Sequence, residues 1–293
     1  MKRNYLLLFV LLFFFASGRM IAQKTVITYA TGDYQVSILS EGGQNANGSL
    51  LKGGTPEIID HYLPDGVFRL EIQAFLVRTP EKNILIDAGV GKNLSDNLKS
   101  LHIADEQIHV ILLTHMHGDH IGGLLREGKK VFPQAELYLS QAEYDYWMDS
   151  ERGADARKVL EIYKDRLHLF VPGELGGEIP DLIANVHIKP VAAYGHTPGH
   201  TAFLVESLDA KLLIWGDIAH AMPVQMPHPE ISMSFDVDPG QSAVTRKKIL
   251  EYVRKNNIRI AGSHIVFPAI GDILPGENEG GYEFKPLCIC EGS

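Results

Sequence analysis

The chain has 293 residues, of which 45% are hydrophobic and 22% charged, an ordinary composition for a globular protein with a substantial core. Its formal net charge of −9 would repel the phosphate backbone of a nucleic acid, and no Lys or Arg cluster lies near the histidine motifs, so nucleic-acid partners are not expected. No linker-like segment divides the chain, which predicts one folded domain.

A secretory signal peptide is predicted at residues 1–22. Lys2 and Arg3 precede an apolar run from Tyr5 to Ala16, and small residues follow it. The run is short for a bilayer crossing, which takes about 20 apolar residues, although an uncleaved anchor is the alternative. We therefore expect an exported protein, periplasmic or secreted, with no stable membrane span after cleavage.

The next elements in chain order are strands predicted at 25–30, 34–40, 68–79 and 83–87. Between them, residues 41–64 are rich in Gly and Asn and show no periodicity, which predicts a flap over the functional site or a disordered surface segment. Ser140 as N-cap, with Glu143 three residues later, predicts a helix through about Met148. Further helices are predicted at 154–165 and 241–256, so the chain reads as mixed α/β layers.

The segment Thr114–His120 places three histidines and an aspartate within six residues, directly after the apolar run Val110–Leu113. The run predicts a buried strand, whose end is a rigid support for a metal site. Imidazole and carboxylate ligands suit a borderline-soft divalent ion such as zinc. A histidine-rich surface loop is the alternative, but such tracts lack the preceding buried strand.

Three further candidate ligands also lie at the ends of strand-like runs. His196 follows residues 187–191, Asp217 ends the run 212–217, and His264 follows 258–263. This series resembles the metallo-β-lactamase superfamily, with its HxHxDH motif, a distant His, a bridging Asp and a final His. The resemblance extends from about Phe68 to Ile273. It implies a four-layer αβ/βα sandwich and makes residues 23–293 a metallo-β-lactamase-like hydrolase domain.

The resemblance also implies two divalent metal ions, with Zn²⁺ as the expected ion. By motif position, the implied ligands are His115, His117 and His196 for the first metal, Asp119, His120 and His264 for the second, and Asp217 as the bridge. Two such ions can share a hydroxide that is nucleophilic near neutral pH. The sequence has no Gly-x-Ser-x-Gly elbow. His117 occupies the position where diiron redox members usually carry Glu, so hydrolysis is favoured.

Asp119 and His220 are the candidate catalytic residues. Asp119 is placed to orient the hydroxide and to protonate the leaving group. His220 lies three residues after Asp217, where some N-acyl-homoserine lactonases carry a tyrosine, and either donates a hydrogen bond to a developing oxyanion or is structural. His200 is interpreted as structural. The candidate substrate-pocket residues, for each of which core packing is the alternative, are Phe68, Tyr144, Trp147, Met222, Val266 and Phe267.

The blocks 114–123, 195–201, 215–220, 234–239 and 263–268 are similar to a branch that holds methyl parathion hydrolase-like enzymes and certain N-acyl-homoserine lactonases. Class B β-lactamases commonly carry Cys or Ser where this chain has Asp217. We therefore expect a small-molecule lactone or ester substrate, and specifically opening of the N-acyl-homoserine lactone ring by the bridging hydroxide, a quorum-quenching activity. The alternatives are an organophosphate triester or aryl ester hydrolase, and a non-enzymatic metal- or signal-binding protein of the envelope. A homodimer is left open.

Overall fold

The computed structural model describes residues 25–287. The predicted signal peptide at 1–22 and the two cysteines, Cys288 and Cys290, lie outside the described residues. Within the described range, no helix combines the length and the apolar character that a bilayer crossing requires.

Strands and helices are interspersed along the described chain. The strands are β1 (Val26–Thr31), β2 (Tyr34–Asn47), β3 (Leu51–Lys52), β4 (Val67–Arg78), β5 (Asn83–Ile86), β6 (Val110–Leu112), β7 (Leu125–Arg126), β8 (Lys129–Lys130), β9 (Glu136–Ser140), β10 (Leu167–Phe170), β11 (Ile188–Ala192), β12 (Thr201–Ser207), β13 (Ala210–Ile214), β14 (Ser232–Met233), β15 (Arg259–Ala261), β16 (Ile270–Pro275) and β17 (Tyr282–Pro286). The helices are α1 (Pro56–Tyr62), α2 (Leu94–Ser100), α3 (Gly118–Ile121), α4 (Gln141–Asp149), α5 (Ala154–Tyr163), α6 (Met222–Gln225) and α7 (Pro239–Lys255).

Two large sheets form the centre of the molecule. The first has seven strands in the order β1-β2-β4-β5-β6-β9-β10, and the second has six in the order β11-β12-β13-β15-β16-β17. Helices α2, α4 and α5 pack on the first sheet, and α7 packs on the second. This is the predicted αβ/βα sandwich, and the mixed α/β fold class is confirmed.

Alternation of side chains along the central strands builds two apolar layers. Ile84 and Ile86 of β5 belong to the core shared with the second sheet, whereas Leu85 between them packs with the helices on the other face. Strand β6 divides its residues in the same way, with Ile111 on the helix side. Because successive side chains point to opposite faces of a strand, a sheet covered on both faces needs apolar residues at every position.

The stretch 41–64 forms regular secondary structure, which differs from the predicted alternative of a disordered surface segment. Its first part continues β2 as far as Asn47 and pairs with β4, and its second part holds the short strand β3 and helix α1. Helix α1 begins after Thr55, whose side chain accepts a hydrogen bond from the Ile58 amide, and Pro56 occupies the first turn. The segment is regular secondary structure on the body of the sandwich.

Candidate metal centre

In each sheet the motif residues follow the carboxyl ends of neighbouring parallel strands, so they lie at the same end of the sheet. Strands β5, β6 and β9 run parallel, so the loop after β6 that carries His115 to His120 lies beside Asp87 at the end of β5. In the second sheet β13 and β15 are also parallel, and they are followed by Asp217 and His264. The loops of both sheets meet at the same end of the sandwich, since these side chains are in contact.

A first group of ligand atoms surrounds His117. Its Nδ1 lies 2.9 Å from Nε2 of His115 and 2.9 Å from Nε2 of His196. Oδ2 of Asp217 lies 3.2 Å from the His196 nitrogen and 3.6 Å from that of His115. These four atoms are all within 4.8 Å of one another, a spacing that one metal ion can span.

A second group lies on the other side of Asp217. His120 Nε2 is 3.2 Å from Asp217 Oδ1, and His264 Nε2 is 3.0 Å from Asp217 Oδ2. Asp119 completes the group, with its carboxylate oxygens 3.6 Å from His264 Nε2 and 3.9 Å from His120 Nε2. Asp217 therefore lies between both groups, where the sequence predicted a bridging residue.

In three of these histidines the other ring nitrogen is held by a fixed acceptor. Nδ1 of His196 is 2.7 Å from the Asp236 carboxylate, Nδ1 of His120 is 2.8 Å from Asp87, and Nδ1 of His264 is 2.6 Å from a backbone carbonyl of β4. Each Nδ1 must carry a proton in these contacts, so Nε2 is the nitrogen that faces the cluster and can bind a metal ion when it is deprotonated. Partners of this kind orient metal-binding histidines.

The donor set fits divalent metal ions. Imidazole nitrogens and two carboxylates are packed together, and Nε2 of His120 and Oδ1 of Asp217, which lie buried 3.2 Å apart, form no well-aligned hydrogen bond with each other or with another group. Buried polar atoms are normally satisfied, and a cation would satisfy these. Imidazole nitrogens with carboxylate oxygens are the ligands that zinc and similar ions accept.

Burial and neighbouring charges set the protonation of the cluster. Burial, reinforced by the adjacent His196, lowers the pKa of His117 to about 3, so His117 is neutral at physiological pH, as a ligand must be. Burial also lowers the pKa of His196, but the carboxylates of Asp217 and Asp236 outweigh it and raise that pKa to about 9. The histidines hold the pKa of Asp217 well below its usual value despite its burial. A metal ion that binds here displaces protons from the histidines.

Two residues with left-handed backbone shape the loops of the site. Asp87 has φ 56°, and its carboxylate accepts hydrogen bonds from the amide and hydroxyl of Thr114 as well as from His120. Asp tolerates this conformation better than most residues. Gly216 has φ 59°, and a Cβ there would lie 2.5 Å from Nε2 of His200. The residue before Asp217 is thus restricted to glycine on two grounds.

His200 and His220 have different surroundings. Both ring nitrogens of His200 have protein partners, the Ala193 carbonyl and the Asp217 amide, which agrees with the structural interpretation. His220 contacts Asp217 Oδ2 through Nε2 at 3.2 Å, while its Nδ1 is buried without a partner. His220 is therefore in place to hold the Asp217 carboxylate, a contact that the sequence did not predict.

Two buried carboxylates that the sequence did not connect with the metal centre support the candidate ligands. Asp236 accepts from His196, and Glu143 accepts from groups on both ligand loops. Asp236 lies 40 residues beyond its partner, so only the fold reveals the pair. Glu143 was interpreted as part of a capping box; the Ser140 side chain does accept from its amide, but the Glu143 carboxylate turns into the interior.

An apolar groove of about 620 Å³ is lined by residues that follow His264 and His220 closely in the sequence. Three of the predicted pocket residues line it, namely Met222, Val266 and Phe267. The other three do not, which corrects the prediction: Phe68 is packed in a core cluster with α6, Tyr144 packs among the helices on the first sheet, and Trp147 is buried with its ring 5.5 Å from His117. The groove is instead completed by α1 and the β16–β17 hairpin, including Tyr62, Tyr282 and Phe284.

Comparison with known proteins agrees with this geometry. The sequence profile of the metallo-beta-lactamase superfamily matches residues 68–264, and the chain belongs to this superfamily. The probable metallo-hydrolase YqgX of Bacillus subtilis (strain 168) is 26% identical over 151 residues, which span 51% of this chain and 66% of YqgX. The protein is a metal-dependent hydrolase of this superfamily.

Two solved structures share the fold over nearly their whole length. The hydrolase AbOPH of the beta lactamase superfamily is 28% identical with a TM-score of 0.80, covering 91% of this chain and 99% of that one. AidC, a dizinc quorum-quenching lactonase in complex with the product N-hexanoyl-L-homoserine, is 24% identical with a TM-score of 0.79, covering 91% and 98%. The resemblance to N-acyl-homoserine lactonases that the sequence indicated is confirmed at the level of fold.

Proposed function

We propose that this protein opens the lactone ring of N-acyl-homoserine lactones. The observation that carries the proposal is the position of the apolar groove. Its lining residues Ile265 and Val266 directly follow His264, and Met222 lies two residues beyond His220. A substrate with a polar ring and an apolar acyl arm suits this arrangement, since the ring can meet the ligand cluster while the arm lies in the groove. The product bound to AidC, an acylated homoserine, supports this substrate class.

The groove has the size and character of a small-molecule site. Its volume of about 620 Å³ lies within the roughly 300–1,000 Å³ typical of ligand pockets. Phe235, which is 37% exposed, stands at the cluster with its ring 5.0 Å from His220 and 5.9 Å from His196. This ring would contact the bound substrate and reduce the access of water.

The chain's own groups supply the proton transfers. Bound divalent ions would lower the pKa of water at the cluster and polarise the ring carbonyl. Asp119, at 31% side-chain exposure against 2% for Asp217, is the accessible carboxylate of the cluster. Its oxygen accepts the proton of the attacking water and returns it to the ring oxygen as the carbon–oxygen bond breaks. His220 holds Asp217 in position through Nε2.

The direct test is proton release by the purified, zinc-loaded protein with N-hexanoyl-homoserine lactone, with a phosphotriester and an aryl ester in parallel. We expect fast lactone opening and slower cleavage of the other two. Faster phosphotriester or aryl ester cleavage would move the protein to the methyl parathion hydrolase type. A fully metal-loaded protein inert on all three would favour a binding role.

A variant at the rim tests the groove. Val266 is 52% exposed, so Val266→Trp can narrow the groove without disturbing the core. We expect kcat/KM for N-decanoyl-homoserine lactone to fall about tenfold relative to the N-butanoyl substrate, because only the longer arm needs the blocked volume. The matched control is Val244→Trp, an exposed position on α7 that should leave the ratio unchanged. Equal loss of kcat/KM with both substrates would show that the acyl arm does not lie in the groove.

We further propose that the ions are zinc and that the protein is exported. The nitrogen-rich ligand set supports zinc, and the residues at 1–22 support export. Metal analysis of protein purified without added metal, and cell fractionation with N-terminal sequencing, test the two statements. Iron as the bound metal, or a cytosolic full-length chain, would contradict them.

A further inference from the structure

Glu143 is a buried carboxylate that the chemistry proposed above does not use. Its side chain is fully buried in the first turn of α4, and four donors surround its two oxygens. Oε1 accepts from the Met116 amide and the Trp147 indole, and Oε2 accepts from the Thr197 hydroxyl and the Gly199 amide. Every donor is a neutral group, so none of them balances the charge of the carboxylate.

The partners of Glu143 belong to two separate loops that carry ligands of the first group. Met116 lies between His115 and His117 on the loop after β6, and Thr197 directly follows His196 on the loop after β11. One side chain thus connects the loop of the first sheet to the loop of the second. The distance between His117 and His196 depends on how these loops are held.

The loop around Gly199 is docked tightly on the start of α4. Ser140 donates its hydroxyl to the Gly199 carbonyl at 2.7 Å, and a Cβ on Gly199 would lie 2.1 Å from the Glu143 amide. Trp147, which donates to Glu143, also packs its ring against His117. The contacts of Glu143 therefore reach the candidate ligands from both sides through short, rigid connections.

We propose that Glu143 is a positioning residue that sets the geometry and affinity of the first metal site. Its four hydrogen bonds fix the two loops at the spacing that His115, His117 and His196 need to share one ion. Residues that support ligands in this way typically change metal affinity roughly 10- to 100-fold when mutated.

The test compares Glu143→Gln with a matched control, Glu41→Gln. A glutamine at position 143 has one acceptor oxygen, and its amide group would face two of the four donors. Glu41 is also buried and accepts two amides, those of Lys92 and Asn93, but these lie on a loop without candidate ligands. We expect both variants to lose thermal stability, and only Glu143→Gln to bind one of the two metal equivalents 10- to 100-fold more weakly.

Metal affinity is measured by chelator competition on the full protein, and the visible absorption of the Co²⁺-loaded form reports the coordination of each site. In Glu143→Gln the absorption of one Co²⁺ equivalent should change, while in Glu41→Gln both should match the wild type. If Glu143→Gln fails to fold, Thr197→Val removes a single donor to the same carboxylate and should give a smaller shift in the same direction. Wild-type metal affinity and Co²⁺ absorption in a folded variant would overturn the proposal.

Discussion

At the scale of single residues, Asp217 is the point at which the two halves of the cluster meet. Its carboxylate contacts candidate ligands of both groups, with His196 at 3.2 Å and His264 at 3.0 Å from Oδ2. The loops of both ligand groups therefore depend on this one side chain. A carboxylate in this position neutralises part of the charge of two cations, which an amide cannot do.

Asp217→Asn should lose metal and hydrolytic activity together, because it removes the charge shared by both groups. We expect the loss of metal affinity to exceed the roughly 10- to 100-fold typical of supporting residues. Metal content after dialysis and kcat/KM check this result. Asp209→Asn, an exposed turn position between β12 and β13, is the control. Full activity with Asn at position 217 would refute the bridging role.

Asp236 and Asp238 lie two residues apart and have different hydrogen-bonding roles, so substitutions at the two positions can be compared directly. Asp236 orients His196, whereas Asp238 caps α7 by accepting from the Gln241 amide. We expect Asp236→Ala to weaken metal binding roughly 10- to 100-fold. Asp238→Ala should cost about 1 kcal/mol of stability and leave metal binding intact. Chelator competition and urea unfolding, run on both, distinguish the roles; the reverse pattern would contradict the assignment.

At the scale of elements, α7 is tied to the segment after β13 by a buried arginine. Arg246 on α7 donates to the carbonyls of Ile218, Pro229 and Ile231. These lie in the segment that also carries Asp217 and His220. Burial lowers the pKa of Arg246 to about 10, so it is still charged at neutral pH. The helix therefore holds one side of the metal centre without supplying a candidate ligand.

Arg246→Met should lower the free energy of unfolding by about 3 kcal/mol, because several buried carbonyls lose their donor. The comparison is Arg254→Met, an exposed position near the end of the same helix, which should change stability by about 0.5 kcal/mol or less. Urea unfolding of the metal-loaded proteins measures both. Similar stabilities for the two variants would show that the tether contributes little.

Most elements were predictable from side-chain periodicity, and the main error has a local cause. Strands β4, β5 and β6 and helices α4, α5 and α7 lie close to their predicted positions, since their apolar residues repeat with the period of the element. Strand β2 was cut short at Ser40. The pairing of β2 with β4 shifts register between Ser40 and Gly42, and such a bulge breaks the alternation. Beyond it the exposed Gly43, Gln44 and Asn45 have no apolar pattern to detect, although they pair with β4.

The candidate metal ligands were predictable from local sequence patterns, whereas the residues that support them were not. The seven candidate ligands stand in sequence motifs at strand ends, and the structure brings all seven together. The support by Glu143 and Asp236 depends on contacts between loops far apart in the chain, which no local pattern encodes. Phe68 was misplaced because an apolar residue near a motif looks the same whether it lines a groove or fills a core.

At the scale of the whole molecule, metal removal should loosen the edge of the sandwich and leave its core intact. The candidate ligands come from loops of both sheets, so bound ions would link these loops and their removal would take those links away. Chelator treatment should lower Tm and increase hydrogen exchange in residues 114–121, 195–201 and 215–222. Exchange in the core strands β5 and β12 should stay slow. Uniform loss of protection would indicate that the ions stabilise the entire fold.

The groove has a further consequence, because two of its walls carry no candidate ligand. Helix α1 and the β16–β17 hairpin meet across it, where Asn278 donates to the Tyr62 hydroxyl at 3.0 Å. On the proposed function, in which the groove holds the acyl arm, substitutions in these two segments should change substrate selectivity while the candidate metal ligands stay the same. Laboratory libraries confined to them should yield catalysts with new selectivity at a much lower rate of inactivation than libraries in the histidine loops. Homologous proteins could acquire different substrate selectivities during evolution through substitutions in the same two segments.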